Sequence, residues 1–180
     1  HPKQEYYPIT ENQRGIYIDW EMNREALQYN MPEVIRFAVV NAETLCKALR
    51  QAVNAHPAMK ARLAIVDGDV MQKRQDDEPA EVSLQQLDFE PDAAFFQERV
   101  RPFDLFNERL YRLEVYQTPS TVWLFIDVHH IVFDGVSSYI FMDDVRKVLA
   151  GGSLEAETYT AYDRALDEQA WTDSENFKQA

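Results

Sequence analysis

The sequence predicts an α+β fold built on a mixed, mostly antiparallel sheet flanked by helices. Three observations carry that expectation. Helix-period and strand-period segments are mixed along the chain. Asp67-Gly68 lies between two apolar runs, a strong short-range hairpin signal. Thr118-Pro119-Ser120 joins two further runs in a second hairpin.

The elements follow in order. Thr10-Glu11-Asn12-Gln13 has the form of a capping box, and the helix it opens places Ile16, Tyr17 and Trp20 on one face. Val34 to Val40 is β-branched and reads as a strand. Asn41 starts a second helix with Leu45, Leu49 and Val53 in one stripe, and His56-Pro57 ends it. Ala61–Val66 and Asp69–Arg74 are the arms of the first hairpin. A charged connector, Gln75 to Glu81, leads to a short run at Val82–Leu87. Pro91 opens a third helix and Pro102 stops it. Leu110–Gln117 and Thr121–His129 are the second hairpin's strands. Ser137 to Leu149 reads as a helix closed by Gly151, and a last helix spans about Thr158 to Trp171 before a polar tail.

Composition narrows the function classes. The chain has 180 residues, 46% of them hydrophobic, which suits one domain with a real core. Acids outnumber bases 31 to 18, for a formal charge of −13, which argues against nucleic acid and against an anionic membrane surface. No apolar run approaches the ~18 residues of a membrane span. The single cysteine, Cys46, has no partner for a disulfide or a metal site and is expected to be a buried thiol. A reducing, cytoplasmic setting fits. The opening His1-Pro2, rather than Met, reads as a piece of something longer.

Chemistry concentrates at His129-His130-Ile131-Val132-Phe133-Asp134-Gly135-Val136-Ser137, directly after the apolar run Trp123–Val128. Imidazole is the side chain whose ordinary pKa allows proton transfer near neutrality. Alternation along a strand sends the two rings opposite ways, so one can face a cavity while the other packs into the scaffold. Gly135 permits a sharp turn, and the helix after it directs free N–H groups back toward that turn. Asp134 reads as a base or, more naturally, as the ion-pair member that fixes the loop. On residues alone, a core histidine beside a surface histidine is an equal alternative.

His129-His130-x-x-x-Asp134-Gly135 resembles the HHxxxDG signature of condensation domains of nonribosomal peptide synthetases. Thr10–Tyr17 is similar to that family's first motif, SxAQxRxW/Y, and Asn54–Leu63 to its second, RHExLRTxF. Arg101-Pro102-Phe103-Asp104-Leu105 and Tyr159-Thr160-Ala161-Tyr162 also look like family segments, in the expected order. The resemblance implies a chloramphenicol acetyltransferase-like lobe: residues 1–172 as the amino-terminal half of a two-lobed domain, and 173–180 as the start of a linker to the second lobe. It implies amide-bond formation between a donor acyl thioester and an acceptor amine. Both would be tethered through phosphopantetheine to carrier proteins, with no cofactor or metal bound by this chain. His130 would be catalytic and Gly135 would lend a backbone N–H near the thioester carbonyl. His129, Asp134, Lys60 and Arg62 would be structural. An isolated lobe would have little activity.

Two departures stand out. Gly15 occupies the place of the first motif's usual Arg, and Lys60 that of the Arg that pairs with the turn aspartate in relatives. A lysine cannot form a bidentate fork, so a Lys60–Asp134 pair would be looser, and Arg62 is the alternative partner. An epimerization domain or another HHxxxDG acyltransferase would share the histidines. A non-catalytic docking module would normally have lost them.

Overall fold

In the computed structural model, which describes residues 1–133 and 138–179 and side chains through residue 175, the strands fall into two sheets. The smaller is antiparallel in the order β1 (Tyr6–Pro8), β4 (Asp69–Lys73), β3 (Arg62–Val66). The larger has the order β2 (Asn30–Phe37), β7 (Val122–His129), β6 (Tyr111–Gln117), β5 (Ser83–Gln86). Its β2–β7 and β6–β7 pairs are antiparallel and β5–β6 is parallel. The sheet character is therefore as expected, but divided in two.

Local chemistry accounts for the elements that match expectation. Helix α1 (Glu11–Met22) opens on a complete capping box: Gln13 N–H donates to Thr10 Oγ1 at 3.1 Å, and Thr10 N–H donates to Gln13 Oε1 at 2.9 Å. Asn41 caps α2 (Ala42–Ala55), and Pro57 ends it in a single 3-10 turn over Pro57–Lys60. Asp67 and Gly68 both take positive φ, 51° and 84°, as a type I′ turn requires. Helix α4 (Ser138–Leu149) closes with Gly152 N–H to Lys147 O and Gly151 N–H to Val148 O, a Schellman pair around Gly151 at φ 93°.

Helices α2 and α4 cover one face of the larger sheet. Leu45, Leu49 and Val53 of α2, with Phe141 and Val145 of α4, are fully buried on Leu113, Val115, Leu124, Ile126 and Val128. Cys46 is buried and free. The opposite face carries a smaller cluster, in which Phe96 packs on Tyr116, Phe125 and Trp123.

Three elements differ from expectation. Strand β2 starts at Asn30 and stops at Phe37, whereas the β-branched run predicts Val34–Val40. It is an edge strand, so Pro32 is tolerated inside it, and residues 38–40 turn toward the α2 cap. Helix α3 is only Ala93–Gln97, capped by Asp92, and ends well before Pro102. It stops early because Arg99 takes the carbonyl of Phe95 at 2.7 Å while its guanidinium lies 3.4 Å from the Phe95 ring centroid. The chain then runs over the sheet with Arg112 satisfying the carbonyls of Arg101 and Pro102. Helix α5 begins at Ala161 and continues to Gln179, through the polar tail expected to leave it. Its start is set by a second box, with Thr160 N–H donating to Asp163 Oδ2 at 2.8 Å and Asp163 N–H donating to Thr160 Oγ1 at 3.4 Å.

Candidate active site

Strand β7 is the centre of the site. Its Val122, Leu124, Ile126 and Val128 enter the main core, and alternation turns Trp123, Phe125, Asp127 and His129 to the other face. The last ladder position pairs His129 with Asn30. Beyond it the backbone bonds continue: His129 N–H donates to Leu110 O and His130 N–H to Tyr29 O, each at 2.9 Å. Val132 N–H then reaches His129 O at 3.1 Å and Phe133 N–H reaches His130 O at 3.3 Å. The strand thus passes directly into a tight turn. Ile131, Val132 and Phe133 are buried, and His130 between them and His129 keeps partial solvent contact.

The two histidines occupy different environments. His129 is 3% exposed, with its ring 5.9 Å from that of Phe103 at 87° and its Nδ1 accepting the Ile131 N–H at 3.1 Å. That bond assigns the proton of the neutral ring to Nε2. Burial, with the neighbouring His130 and Arg112, pushes its pKa down to about 4, so it is uncharged at neutral pH. His130 has its Nδ1 buried without a hydrogen-bond partner among the described residues. One ring is therefore locked scaffold, and the other is half open with an unsatisfied nitrogen.

Residues far away in sequence hold this turn. Gln13, 5% exposed, donates from Nε2 to the Ile131 carbonyl at 2.9 Å while its Oε1 is occupied by the α1 capping box. Gln72 completes that knot, reaching Gln13 Oε1 at 3.3 Å and the Pro8 carbonyl at 2.9 Å. Phe103, which packs on His129, is fixed by the Trp20 indole donating to its carbonyl at 3.0 Å, and by Arg112 3.6 Å from its ring centroid. Asp127, fully buried, accepts from Asn30 Nδ2 at 2.9 Å and from Met31 N–H at 3.0 Å, which secures the start of β2. Burial raises its pKa, opposed by Asn30 and by Arg112 across the strand pair.

Residues 3–180 match the family model of the condensation domain. The chain belongs to the condensation-domain family. It is 26% identical over 98% of its length to surfactin synthase subunit 1 of Bacillus subtilis (strain 168). It is 29% identical over 97% of its length to tyrocidine synthase 3 of Brevibacillus parabrevis. It spans only 5% and 3% of those two proteins. The fold matches the starter condensation domain of rhizomide synthetase RzmA with a TM-score of 0.79 at 16% identity, over 94% of this chain and 46% of that one. The first condensation domain of the CDA synthetase gives 0.74 at 17%, over 94% and 47%. This is the α+β, chloramphenicol acetyltransferase-like architecture, in a chain that spans under half of those solved condensation domains.

The second motif supplies two further candidate residues, Lys60 and Arg62. Lys60, 5% exposed at the end of the 3-10 turn, donates to the Asp76 carbonyl at 3.1 Å. Burial lowers its pKa against the opposing field of Asp76, Glu78 and Asp77. Arg62 pairs with Glu78 at 2.9 Å, leaving its Nε buried and without a hydrogen-bond partner among the described residues. Both cations therefore engage the 75–81 connector. Asp134 and Gly135, with the expected pairing of Asp134 to Lys60 or Arg62, lie outside the described residues.

One structural clamp escaped sequence reading. His56, which ends a helix and falls in the second motif, is 5% exposed and bridges two carboxylates: Nε2 to Asp144 of α4 at 2.6 Å, and Nδ1 to Glu157. Burial alone would lower its pKa, but hydrogen bonds to Glu157 and Asp144 carry it above the ordinary value. It clamps α4, the helix that follows the histidine turn, to the end of α2. Its place in the second motif, just before Pro57, was the available signal. Among the described residues no cluster of three or more His, Cys, Asp or Glu could hold a metal ion, and no helix is long and apolar enough to cross a membrane.

Gln13→Leu should strand the Ile131 carbonyl and the Thr10 N–H and cost about 2–3 kcal/mol, read as a lowered urea midpoint. The two buried histidines pull stability in opposite directions with pH. His56, with its folded pKa raised, contributes fully below about pH 6.5, and that contribution is lost as pH rises through the raised value. His129, depressed to about 4, contributes fully above its unfolded pKa of about 6.5. Its contribution, about 3 kcal/mol, should be lost as pH falls from 6.5 to 4. Urea titrations across that window should show the loss in the wild type and its absence in His129→Asn, whose amide can take the Ile131 N–H without titrating.

Proposed function

We propose that this chain is the amino-terminal lobe of a condensation domain that joins a donor acyl or peptidyl thioester to an acceptor amine, both delivered on carrier proteins. The observation that supports this most is the asymmetry of the histidine turn. His129 is buried, neutral and immobilised, which leaves His130 partly exposed on a braced backbone. With Nδ1 buried, Nε2 is the nitrogen of His130 left to meet substrate.

In this reading the amine nitrogen attacks the thioester carbonyl carbon. The carbon–sulfur bond breaks as the tetrahedral intermediate collapses, and the proton lost by the amine ends on the departing sulfur. The lengthened chain stays on the acceptor carrier. An α-amine with a pKa of about 7.7–8.0 is already partly neutral at cellular pH, and a thioester is preactivated. Positioning two tethered reactants can contribute about 7–11 kcal/mol, against about 10²–10⁴-fold from acid–base help. His130 therefore orients the amine and steadies the intermediate as much as it carries a proton. Gly135 would offer its N–H to the developing oxyanion, and Asp134 would fix the loop.

Phosphopantetheine arrives on the carriers and is not held by this chain. The partners are the donor and acceptor carrier proteins and the second lobe of the same domain, in the cytoplasm. The isolated lobe supplies half of the cavity wall and should be inactive.

In the complete two-lobed protein, His130→Ala should slow single-turnover amide formation by about 100-fold or more. Turnover equal to wild type would end the assignment.

A further inference from the structure

Among the described residues, His130 Nδ1 has no hydrogen bond of the kind that sets the His129 ring, so among them packing is what acts on its orientation. The described ring that packs on it belongs to Tyr29, a residue outside every motif of the sequence. The Tyr29 ring meets His130 at 73° with centroids 6.4 Å apart, and meets His129 at 43° and 6.2 Å, both within the range of favourable aromatic contacts.

Tyr29 is itself fixed at both ends. Its carbonyl accepts the His130 N–H at 2.9 Å, one rung past the Asn30–His129 pair. Its hydroxyl donates to Asp19 Oδ2 of α1 at 2.5 Å. The hydrogen bond to that carboxylate raises the phenol's pKa, so the donor proton stays in place. The same helix supplies Gln13 to the Ile131 carbonyl and Trp20 to the Phe103 carbonyl. Helix α1 thus braces the backbone after His130, the ring that packs on His129, and the ring that packs on His130.

We infer that Tyr29 is a positioning residue for His130, its ring setting the imidazole's orientation and its hydroxyl, through Asp19, setting its own. This rests on the catalytic reading of His130. A leucine would fill the space with neither an aromatic edge nor a tether to Asp19, whereas a phenylalanine keeps the edge and loses only the tether.

The test uses the complete two-lobed protein with carrier-bound donor and acceptor. Tyr29→Ala should cut the single-turnover rate at saturating acceptor by about 10–100-fold, the scale expected for a misplaced catalytic group. The half-saturating acceptor concentration should stay within about twofold, because Tyr29 acts on the imidazole and not on carrier binding. Tyr29→Phe, which keeps the ring and loses the tether to Asp19, should fall between Tyr29→Ala and wild type; a wild-type rate there would overturn the hydroxyl's role. Should Tyr29→Ala fail to fold, Tyr29→Leu is read in its place. A wild-type rate in the Ala or Leu variant, or a loss confined to half-saturation, overturns the inference. His130→Ala run alongside separates the two ideas. If it is inactive while Tyr29→Ala is unaffected, only the positioning role fails. If it is fully active, the catalytic reading itself fails.

Discussion

A strand that ends inside a protein must hand its backbone groups to new partners, and the end of β7 is where this lobe meets that demand. From His129 to Phe133 the chain leaves the ladder while its neighbours stay buried, and an unpaired peptide group there would cost about 1–3 kcal/mol. The partners come from separate parts of the sequence: Leu110 and Tyr29 carbonyls, the His129 ring, and the Gln13 amide 118 residues away. Satisfying those groups is what fixes the turn. A single half-open imidazole at its apex is the consequence.

Charge follows the same logic. The ring that packs against Phe103 cannot keep a proton at neutral pH, because burial and the nearby Arg112 both oppose it. The ring of His56, equally buried, has its pKa raised instead, because two carboxylates close on it. Two histidines of similar exposure thus do opposite work. One is neutral packing behind the site, and the other bridges two carboxylates as a clamp between α2 and α4.

Much of this architecture was legible in the sequence where the signal is local. The Thr10–Gln13 box, the Leu45–Leu49–Val53 stripe, the Asp67-Gly68 turn and the Gly151 helix end all rest on chemistry within a few residues. Strand β2 was misplaced because an edge position, which only the fold defines, excuses Pro32. Helix α3 was overextended because Arg99 folding back on Phe95 leaves no periodic trace. The two-histidine motif pointed to the family and to the candidate turn, but the supports of that turn were out of reach. That the capping Gln13 also holds Ile131, and that Tyr29 lies against both imidazoles, are long-range facts of the fold. Spacing along the chain cannot carry them.

The central claim is that this chain alone holds the histidine turn rigid. Amide hydrogen exchange reads it directly at His130 and Ile131, whose N–H groups donate to the Tyr29 carbonyl and to His129 Nδ1. Both amides should be protected as strongly as those of Leu124 and Ile126 in the centre of β7, opening only with global unfolding. Exchange as fast as that of an exposed loop, while the β7 amides stay protected, would contradict it.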